Sequence, residues 1–547
     1  MLCENCHQNE ASIHYTEIIN GVKKEHHICM DCARRLNFAG MSDSSDAEFP
    51  FVRLLTGLLA GNSAQVEDGP MMHIRCPGCG MTFDEFTMVG KFGCAECYGV
   101  FGPLIEDNMK RLHGDSVHRG KIYKKYSGLS DENNETDTLP VMQDENDDYE
   151  SRIRKLGIKL REAVEIENYE EAARLRDMIH QLKKMDNTDD STQGGGRAAC
   201  VAVTMLRWFE EGGNNSDVVI SSRVRLARNI NGYNFSYKMS DTDAKKLVKN
   251  VTDQLKTISP ISGYNSYNFD YLDAYQKMGM RERHVISPYL EKQDYAAGFV
   301  APDEDVSIMI NEEDHIRIQA FAAGMNMQKA YTLADKMDDV IGDVLDYSYD
   351  QKFGYLTTLP SNAGTGMRAS YMLHLPALAG NDKISGLIPE VGRFGLVLKA
   401  MEGDNNRALG DIYQLTNLVT LGKSEKDIID NLDNIAEQII AQERNYRKQY
   451  ITKRKMTALD MVYRSYGVLK YARKVTLNDG ELLLSQIRFG LASGLIKADG
   501  FDESNIYQLM IGIHPANLLM ISNKDMNEEE LEVSRADFIR EHLPTIH

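Results

Sequence analysis

The chain has 547 residues, with 62 Lys+Arg against 81 Asp+Glu and a formal charge of −19. An acidic protein gains no counterion-release affinity for a polyanion, which excludes direct nucleic-acid binding as a default. No apolar run approaches the ~18 residues of a membrane span, and Met1-Leu2-Cys3-Glu4-Asn5-Cys6 is no signal peptide, so a cytoplasmic protein of about three to five domains is expected.

Eight of the nine cysteines fall in Cys-x-x-Cys pairs, which in a reducing compartment argues for metal rather than disulfides. Cys3, Cys6, Cys29 and Cys32 form one set, in a module over 1–40; Cys76, Cys79, Cys94 and Cys97 form another, over 70–105. Two tight knuckles supply four thiolates to one tetrahedral ion, so two structural Zn2+ sites are expected, with a thiol redox switch as the competing reading. The loop Ala11–Gly21 alternates and ends in Asn20-Gly21, a hairpin signal. Residues 127–150 are acidic and polar, too poor in apolar surface to order themselves, and read as a linker. Over 151–185, Ile153, Leu156, Leu160 and Ala163, then Ala172, Leu175, Ile179 and Leu182, recur at helical spacing, predicting an antiparallel helix pair. Residues 186–204 contain Gly194-Gly195-Gly196 and the unpaired Cys200 and read as a flexible linker, before Met205 opens a new pattern.

In the second half, Ser307–Gln319 sets Asn311, Glu312, Glu313 and Asp314 between an apolar run and Ile316-Arg317-Ile318, predicting two half-buried strands with an acidic junction. In Ser221–Asn229 the strand period of two places Arg223 and Arg225 on one face. The Gly-rich loop Pro360–Gly366 offers backbone N–H groups and then delivers Arg368. With Arg317 these make four arginines on extended backbone, planar forks suited to polyphosphate transfer, although each alone also reads as an ordinary surface arginine. Beyond Glu425, Ile428, Leu432, Ile435, Ile439, Met456, Leu459, Val462 and Leu469 form helical stripes that read as core, with a stop near Asn478-Asp479-Gly480.

Leu160-Arg161-Glu162-Ala163 followed by Tyr169–Asp177 resembles the UVR motif of two bacterial excision-nuclease subunits. Zinc knuckles followed by that motif resemble the zinc-binding activator of the bacterial protein-arginine kinase. Ser221–Arg228, Asn311–Arg317 and Pro360–Ser370 together resemble the phosphagen (ATP:guanidino) kinase family, its protein-arginine kinase branch most of all. The resemblance covers nearly the whole chain. It implies a multidomain protein: small zinc-knuckle domains, a helical hairpin, an α+β catalytic domain (205–425) with an antiparallel sheet flanked by helices, and a helical C-terminal domain (426–547). Activator and kinase are usually separate chains in that family, so a readthrough or frameshift join with Met205 as a former start is a further expectation.

The resemblance implies ATP phosphate binding at Ser221, Ser222, Arg223, Val224, Arg225, Arg317, Arg368, Ala369, Ser370, Tyr371 and Met372, another nucleotide contact at His284, and Mg2+ bridging the phosphates. It implies that Glu313 orients the substrate guanidinium and takes its proton. It further implies a flexible loop, Lys399, Ala400, Met401, Glu402, Gly403, Asp404, that contacts ATP and supplies a second carboxylate, Asp404. Three positions depart from the family pattern: Lys399 stands for Arg, Asp404 for Glu and Leu359 for Cys. Lysine lacks the bidentate fork, and a carboxylate set back by ~1 Å can cost ~100-fold, so reduced activity is expected. The rival readings are a catalytically weakened scaffold or adaptor and a small-molecule guanidino kinase. The family's regulatory phosphoarginine segment is matched at Glu532 and Arg535, but Leu531 replaces its first arginine, implying weak feedback. Implied partners are proteins bearing exposed arginine, a heat-shock repressor and a Clp ATPase-protease, in stress response and protein quality control; homodimerisation is left open.

Overall fold

The computed structural model describes residues 13–19, 22–28, 74–126, 209, 213–404, 407–522 and 524–547. The chain divides into two compact units, 1–128 with 203–547, and 129–202, and all described residues belong to the first. Cys3, Cys6, Cys29, Cys32, the acidic linker, the helix pair of 151–185 and the linker of 186–204 lie outside the described residues. Near the N-terminus β1 (Ile13–Ile19) pairs antiparallel with β2 (Val22–Ile28), Ile19 opposite Val22, on either side of Asn20-Gly21.

Thr82 opens α1 (Phe83–Val89) by accepting from the Glu85 N–H, and Gly90, left-handed at φ 71°, closes it. The longer α2 (Glu96–His113) begins within the second cysteine knuckle and ends at Gly114. Phe86, Phe92 and Phe101 of this module share one buried cluster with Phe235, Phe353, Leu356, Ala363 and Leu421. The module therefore completes its core with side chains from the second half of the chain. A strap after α2 extends the contact. Lys121 Nζ lies 2.6 Å from Asp335 and 2.8 Å from Asp339, and Tyr123 Oη donates to the carbonyl of Leu345 at 2.8 Å.

The second half is built on β3 (Val219–Arg228), α3 (Asp241–Leu255), β4 (Asn265–Asn268), α4 (Ala274–Glu282), β5 (Ala297–Val300), β6 (Val306–Ile310), β7 (Ile316–Ala323), α5 (Met327–Val344), β8 (Met367–His374), β9 (Leu396–Ala400) and β10 (Ile412–Asn417). The strands form one eight-stranded sheet in the order β9-β10-β8-β3-β7-β6-β5-β4, every neighbouring pair antiparallel. Val224, Leu226, Ile318, Ala320 and Ala369 point from one face into the main core. The strands of the acidic junction are buried on both faces, not half-buried as their alternation predicts, because Arg317 and Gln319 on the polar face are also covered, at 8% and 3% exposure.

Arg228, 1% exposed, forks onto Asp338 at 2.8 and 3.0 Å, and Lys121 of the strap reaches the same carboxylate at 3.3 Å. Burial alone raises the Asp338 carboxyl, but Arg228 and Lys121 together hold it below the ordinary carboxylate range. Its contribution is therefore present above the unfolded carboxylate pKa and is lost as pH falls through the depressed folded value. Asp338→Asn, which strips a buried arginine of its counter-charge, is expected to cost about 3–5 kcal/mol, read from the denaturant midpoint at neutral pH.

The long α6 (Glu425–Tyr471) starts at a Ser424–Asp427 capping box and breaks helical geometry at Arg454 (φ −139°, ψ 44°). Before the break Ile428, Leu432, Ile435 and Ile439 enter the sheet's core. After it Val462 and Leu469 enter a second core with α7 (Leu477–Ala492), α8 (Glu503–Gly512) and α10 (Glu528–His542), near α9 (Pro515–Ser522). Asn478-Asp479-Gly480 is not a stop. It is the first turn of α7, because Thr476 accepts from the Asp479 N–H and caps the helix there.

Candidate active site

The sheet register gathers the cations. Arg225 lies between Arg368 on β8 and Gln319 on β7, Arg223 between Ser370 and Phe321, and Ala227 opposite Arg317. Residues directly opposite in an antiparallel pair share a face, so Ser221, Arg223, Arg225, Arg317, Arg368, Ser370 and Met372 stand on one side, with Lys399 two strands further along, across Gln414. Arg223, Arg225, Arg281, Glu282, His284, Ile286, Ser287, Pro288, Arg317, Gln319, Met401 and Glu402 line one cleft on that side. The alternate residues face away. Ser222 Oγ donates to the carbonyl of Gly324 at 2.7 Å, Val224, Ala369 and Ala400 lie in the main core, and the Tyr371 hydroxyl donates to Asp433. Sequence reasoning missed Gln319, although the strand period carries it from Arg317, and missed Arg281, which sits one helical turn before His284.

Arg368 shares the face but not the cleft lining. Its Nε donates to Asn362 Oδ1 at 2.9 Å and its Nη1 to the carbonyl of Asn417 at 2.5 Å, clamping the loop 360–366. That loop was expected to offer free N–H groups, and those of Asn362, Ala363 and Thr365 instead donate to Leu359, Pro360 and Thr420 carbonyls. The glycines serve packing. Gly366 has φ +62°, and a Cβ there would meet Arg228 Nη1 at 2.6 Å and the Ala227 carbonyl at 2.7 Å.

The acidic turn sorts its carboxylates. Glu312 accepts from Arg317 Nη1 at 2.7 Å and from Ser287 Oγ at 2.7 Å; burial raises its carboxyl and Arg317 offsets part of that rise. Asp314 Oδ1 accepts from Asn229 Nδ2 at 2.7 Å and from the Thr358 N–H at 2.6 Å. His315 accepts from the Ile230 N–H at Nδ1 and so donates from Nε2 to the Asn234 carbonyl. Burial lowers its pKa to about 4, keeping the imidazole neutral. Glu313 differs: its carboxylate pairs at 2.7 Å with Lys91 Nζ, a residue of the cysteine module. Nothing local in the sequence marks Lys91, because docking of the module alone brings it here.

The same docking fixes the segment ending at Pro360. The Thr357 carbonyl accepts from Tyr98 Oη at 2.8 Å, that of Thr358 from the Phe92 N–H at 2.8 Å, and that of Pro360 from His113 Nε2 at 3.1 Å. Leu359 is buried among these contacts. Of the loop expected over 399–404, Lys399 and Ala400 are instead the end of β9, Gly403–Asp404 pairs with Arg407–Ala408, Asp404 opposite Arg407, and Glu402 reaches the cleft.

In the module, the ligand atoms of Cys76, Cys79, Cys94 and Cys97 lie within 4.8 Å of one another. The Sγ pairs Cys76–Cys94, Cys79–Cys97 and Cys94–Cys97 are 3.5, 3.4 and 3.9 Å apart. Four sulfurs about 2.3 Å from one zinc would stand ~3.8 Å apart, so the set fits a closed structural zinc site. The Cys97 thiol, by hydrogen bonding, lowers the Cys94 pKa to about 5, whereas burial raises that of Cys79 to about 12. At the C-terminus Arg535 donates to the carbonyls of Ile513 (2.9 Å) and Val475 (3.0 Å), and Glu532 pairs with Lys474 at 3.0 Å.

Known families match along the chain in the same order. They are the McsA central zinc-finger domain over 74–120, the UvrB/uvrC motif over 150–184, the ATP:guanido phosphotransferase C-terminal catalytic domain over 246–446, and the protein-arginine kinase McsB C-terminal domain over 455–547. The chain is 38% identical over 345 residues to the protein-arginine kinase of Clostridium acetobutylicum, 62% of this chain and 100% of that one. With the protein-arginine kinase of Bacillus subtilis (strain 168) it shares 37% over 338 residues, 61% and 93% of the two chains. A lombricine kinase structure overlaps 51% of this chain and 79% of its own, at 22% identity and a TM-score of 0.38. Catalytic segment, C-terminal segment and full-length relatives agree, and the chain belongs to the protein-arginine kinase family of ATP:guanido phosphotransferases, with its zinc-finger and UVR segments in the same polypeptide.

Proposed function

We propose that this chain transfers the γ-phosphoryl group of ATP to arginine side chains of proteins, with its zinc module acting in cis. The observation that carries the reading is the separation of charge around the turn. Glu312 and Asp314 are tied into the fold, Glu312 onto Arg317 and Ser287 of the arginine-lined cleft, while the adjacent Glu313 extends to a partner outside the sheet. Arg223, Arg225 and Arg317 grip the phosphates, with His284 and the segment Lys399–Asp404 completing the nucleotide contacts and Arg368 bracing the loop 360–366. Mg2+, when bound with ATP, shares the charge on the β- and γ-oxygens. A guanidinium is protonated at any cellular pH, with a pKa above ~12, and is a poor nucleophile until a carboxylate aims it and accepts a proton. Glu313 fills that role, and Asp404 supplies the second carboxylate from its loop. An N–P bond then forms as the bond from the γ-phosphorus to the β–γ bridging oxygen breaks, and ADP leaves with the electron pair.

The biological setting belongs to the same proposal: a cytoplasmic stress response in which a heat-shock repressor and clients of a Clp ATPase-protease are phosphorylated, and a second zinc site at Cys3, Cys6, Cys29 and Cys32. Incubation with ATP-Mg2+ and a denatured protein is the test, with acid-labile phosphate on arginine detected by mass spectrometry. No product from the native chain, recovered by Lys399→Arg with Asp404→Glu, would establish the scaffold reading. Preference for free arginine would establish a small-molecule kinase.

Feedback is a separate matter. Arg535 already spends two donors on backbone carbonyls and Leu531 carries no charge. Titration calorimetry with phosphoarginine is expected to give no saturable binding at the C-terminal segment, and tight binding abolished by Arg535→Ala would contradict this.

A further inference from the structure

We propose that the Lys91 ammonium occupies the place of the substrate guanidinium, a placeholder built into the zinc module that an arriving arginine must displace. The inference rests on the reading of Glu313 as the guanidinium carboxylate. Lys91 stands in the turn of residues 90–95 between α1 and α2, held on both sides. Gly90 caps α1, Phe92 stacks on Phe86 at 4.6 Å and donates to the Thr358 carbonyl at 2.8 Å, and the Gly93 carbonyl accepts from the Phe235 N–H at 2.9 Å. The backbone is thus anchored beside the acidic turn, and the side chain delivers one positive charge 2.7 Å from Glu313 Oε1. The ammonium also lies 5.9 Å from the Tyr289 ring centroid, so carboxylate and aromatic face flank it as they would flank a guanidinium.

This is not an ordinary surface pair. The Glu313 side chain is only 10% exposed and that of Lys91 27%, so the contact is partly desolvated. With the ammonium on Oε1, a guanidinium cannot take both Glu313 oxygens in a forked pair. A lysine left in contact during the reaction would repel the incoming guanidinium and weaken Glu313 as a proton acceptor, so the ammonium has to swing out when substrate binds. Its anchor makes it an intramolecular competitor, always present at high effective concentration. The zinc module then does two things: it orders the loop at 357–360, and it sets how strongly a substrate must bind to enter.

The first test is steady-state kinetics of the full chain, saturated with ATP-Mg2+, on an arginine-bearing unfolded protein. Lys91→Met is expected to lower KM for that substrate by about 3–10-fold, the range open to a partly buried ion pair, with kcat within two-fold. A KM equal to or above that of the native chain would overturn the proposal. The second test is Lys91→Arg, which places a guanidinium where the ammonium sits. Its Nη should take the γ-phosphoryl group in cis as the bond to the β–γ bridging oxygen breaks, ADP leaves with the electron pair, and Glu313 receives the displaced proton. Mass spectrometry should find phosphate on the side chain at position 91, at a rate per chain independent of protein concentration. If that variant phosphorylates added substrate yet carries no phosphate at position 91, the placeholder reading is wrong. Failure of the underlying assignment looks different: the native chain itself would form no phosphoarginine.

Discussion

Glu313→Gln is expected to reduce arginine phosphorylation by about 10²–10⁴-fold, the contribution of a positioned general base, while ATP binding measured by calorimetry and the thermal midpoint change little. The carboxylate makes its ion pair outward, to Lys91, and the backbone of the same residue is held independently, its carbonyl accepting from Thr358 Oγ1 at 2.9 Å. An amide keeps the volume and hydrogen-bonding length and removes only the charge and the proton-accepting power. Glu312→Gln is the informative contrast. It takes the counter-charge from Arg317 in a site where Glu312 is 1% exposed, so it should weaken nucleotide binding and stability together. A Glu313→Gln variant with more than a tenth of native activity would remove Glu313 from the chemistry.

Where local pattern decides geometry, the sequence was readable. A strand period of two was enough to put Arg223 and Arg225 on one face, and the antiparallel sheet then set Arg317 and Arg368 beside them. Cys-x-x-Cys spacing likewise predicts a four-thiol cluster, which Cys76, Cys79, Cys94 and Cys97 form. Four neighbouring acceptors in the turn looked equivalent in sequence, and only the third dimension separates them. Asn229 and Thr358 converge on Asp314 and Ser287 joins Arg317 on Glu312, and all but Arg317 come from distant parts of the chain. The glycines of the loop 360–366 suggested a phosphate cradle, yet a close approach of backbone to Arg228 needs the same residue type. Lys91 was invisible for the same reason: its role arises from docking between segments more than two hundred positions apart in sequence, and no local periodicity encodes that.

Removing zinc should lower phosphorylation on the order of 10²-fold, more than any single contact of the module accounts for. Structural zinc contributes about 10–16 kcal/mol of apparent folding free energy in small metal-dependent folds, against about 5–15 kcal/mol for the net stability of a typical protein, so α1, α2 and their turn are not expected to survive without it. What they hold lies in the catalytic half. Tyr98, Phe92 and His113 accept or donate along Thr357, Thr358 and Pro360, and the Thr358 N–H in turn donates to Asp314 in the acidic turn. A shift of about 1 Å at a reacting centre is enough for a loss of this size. Chelation or Cys97→Ser should therefore cut kcat, expose residues 353–363 to hydrogen exchange, and leave ATP binding on the arginine face nearly intact. The sign separates this effect from Lys91→Met, which spares the module's core and lowers KM instead. A zinc-stripped chain with native kcat would show that the catalytic half orders its own loop, and that the module's carbonyl contacts are passive.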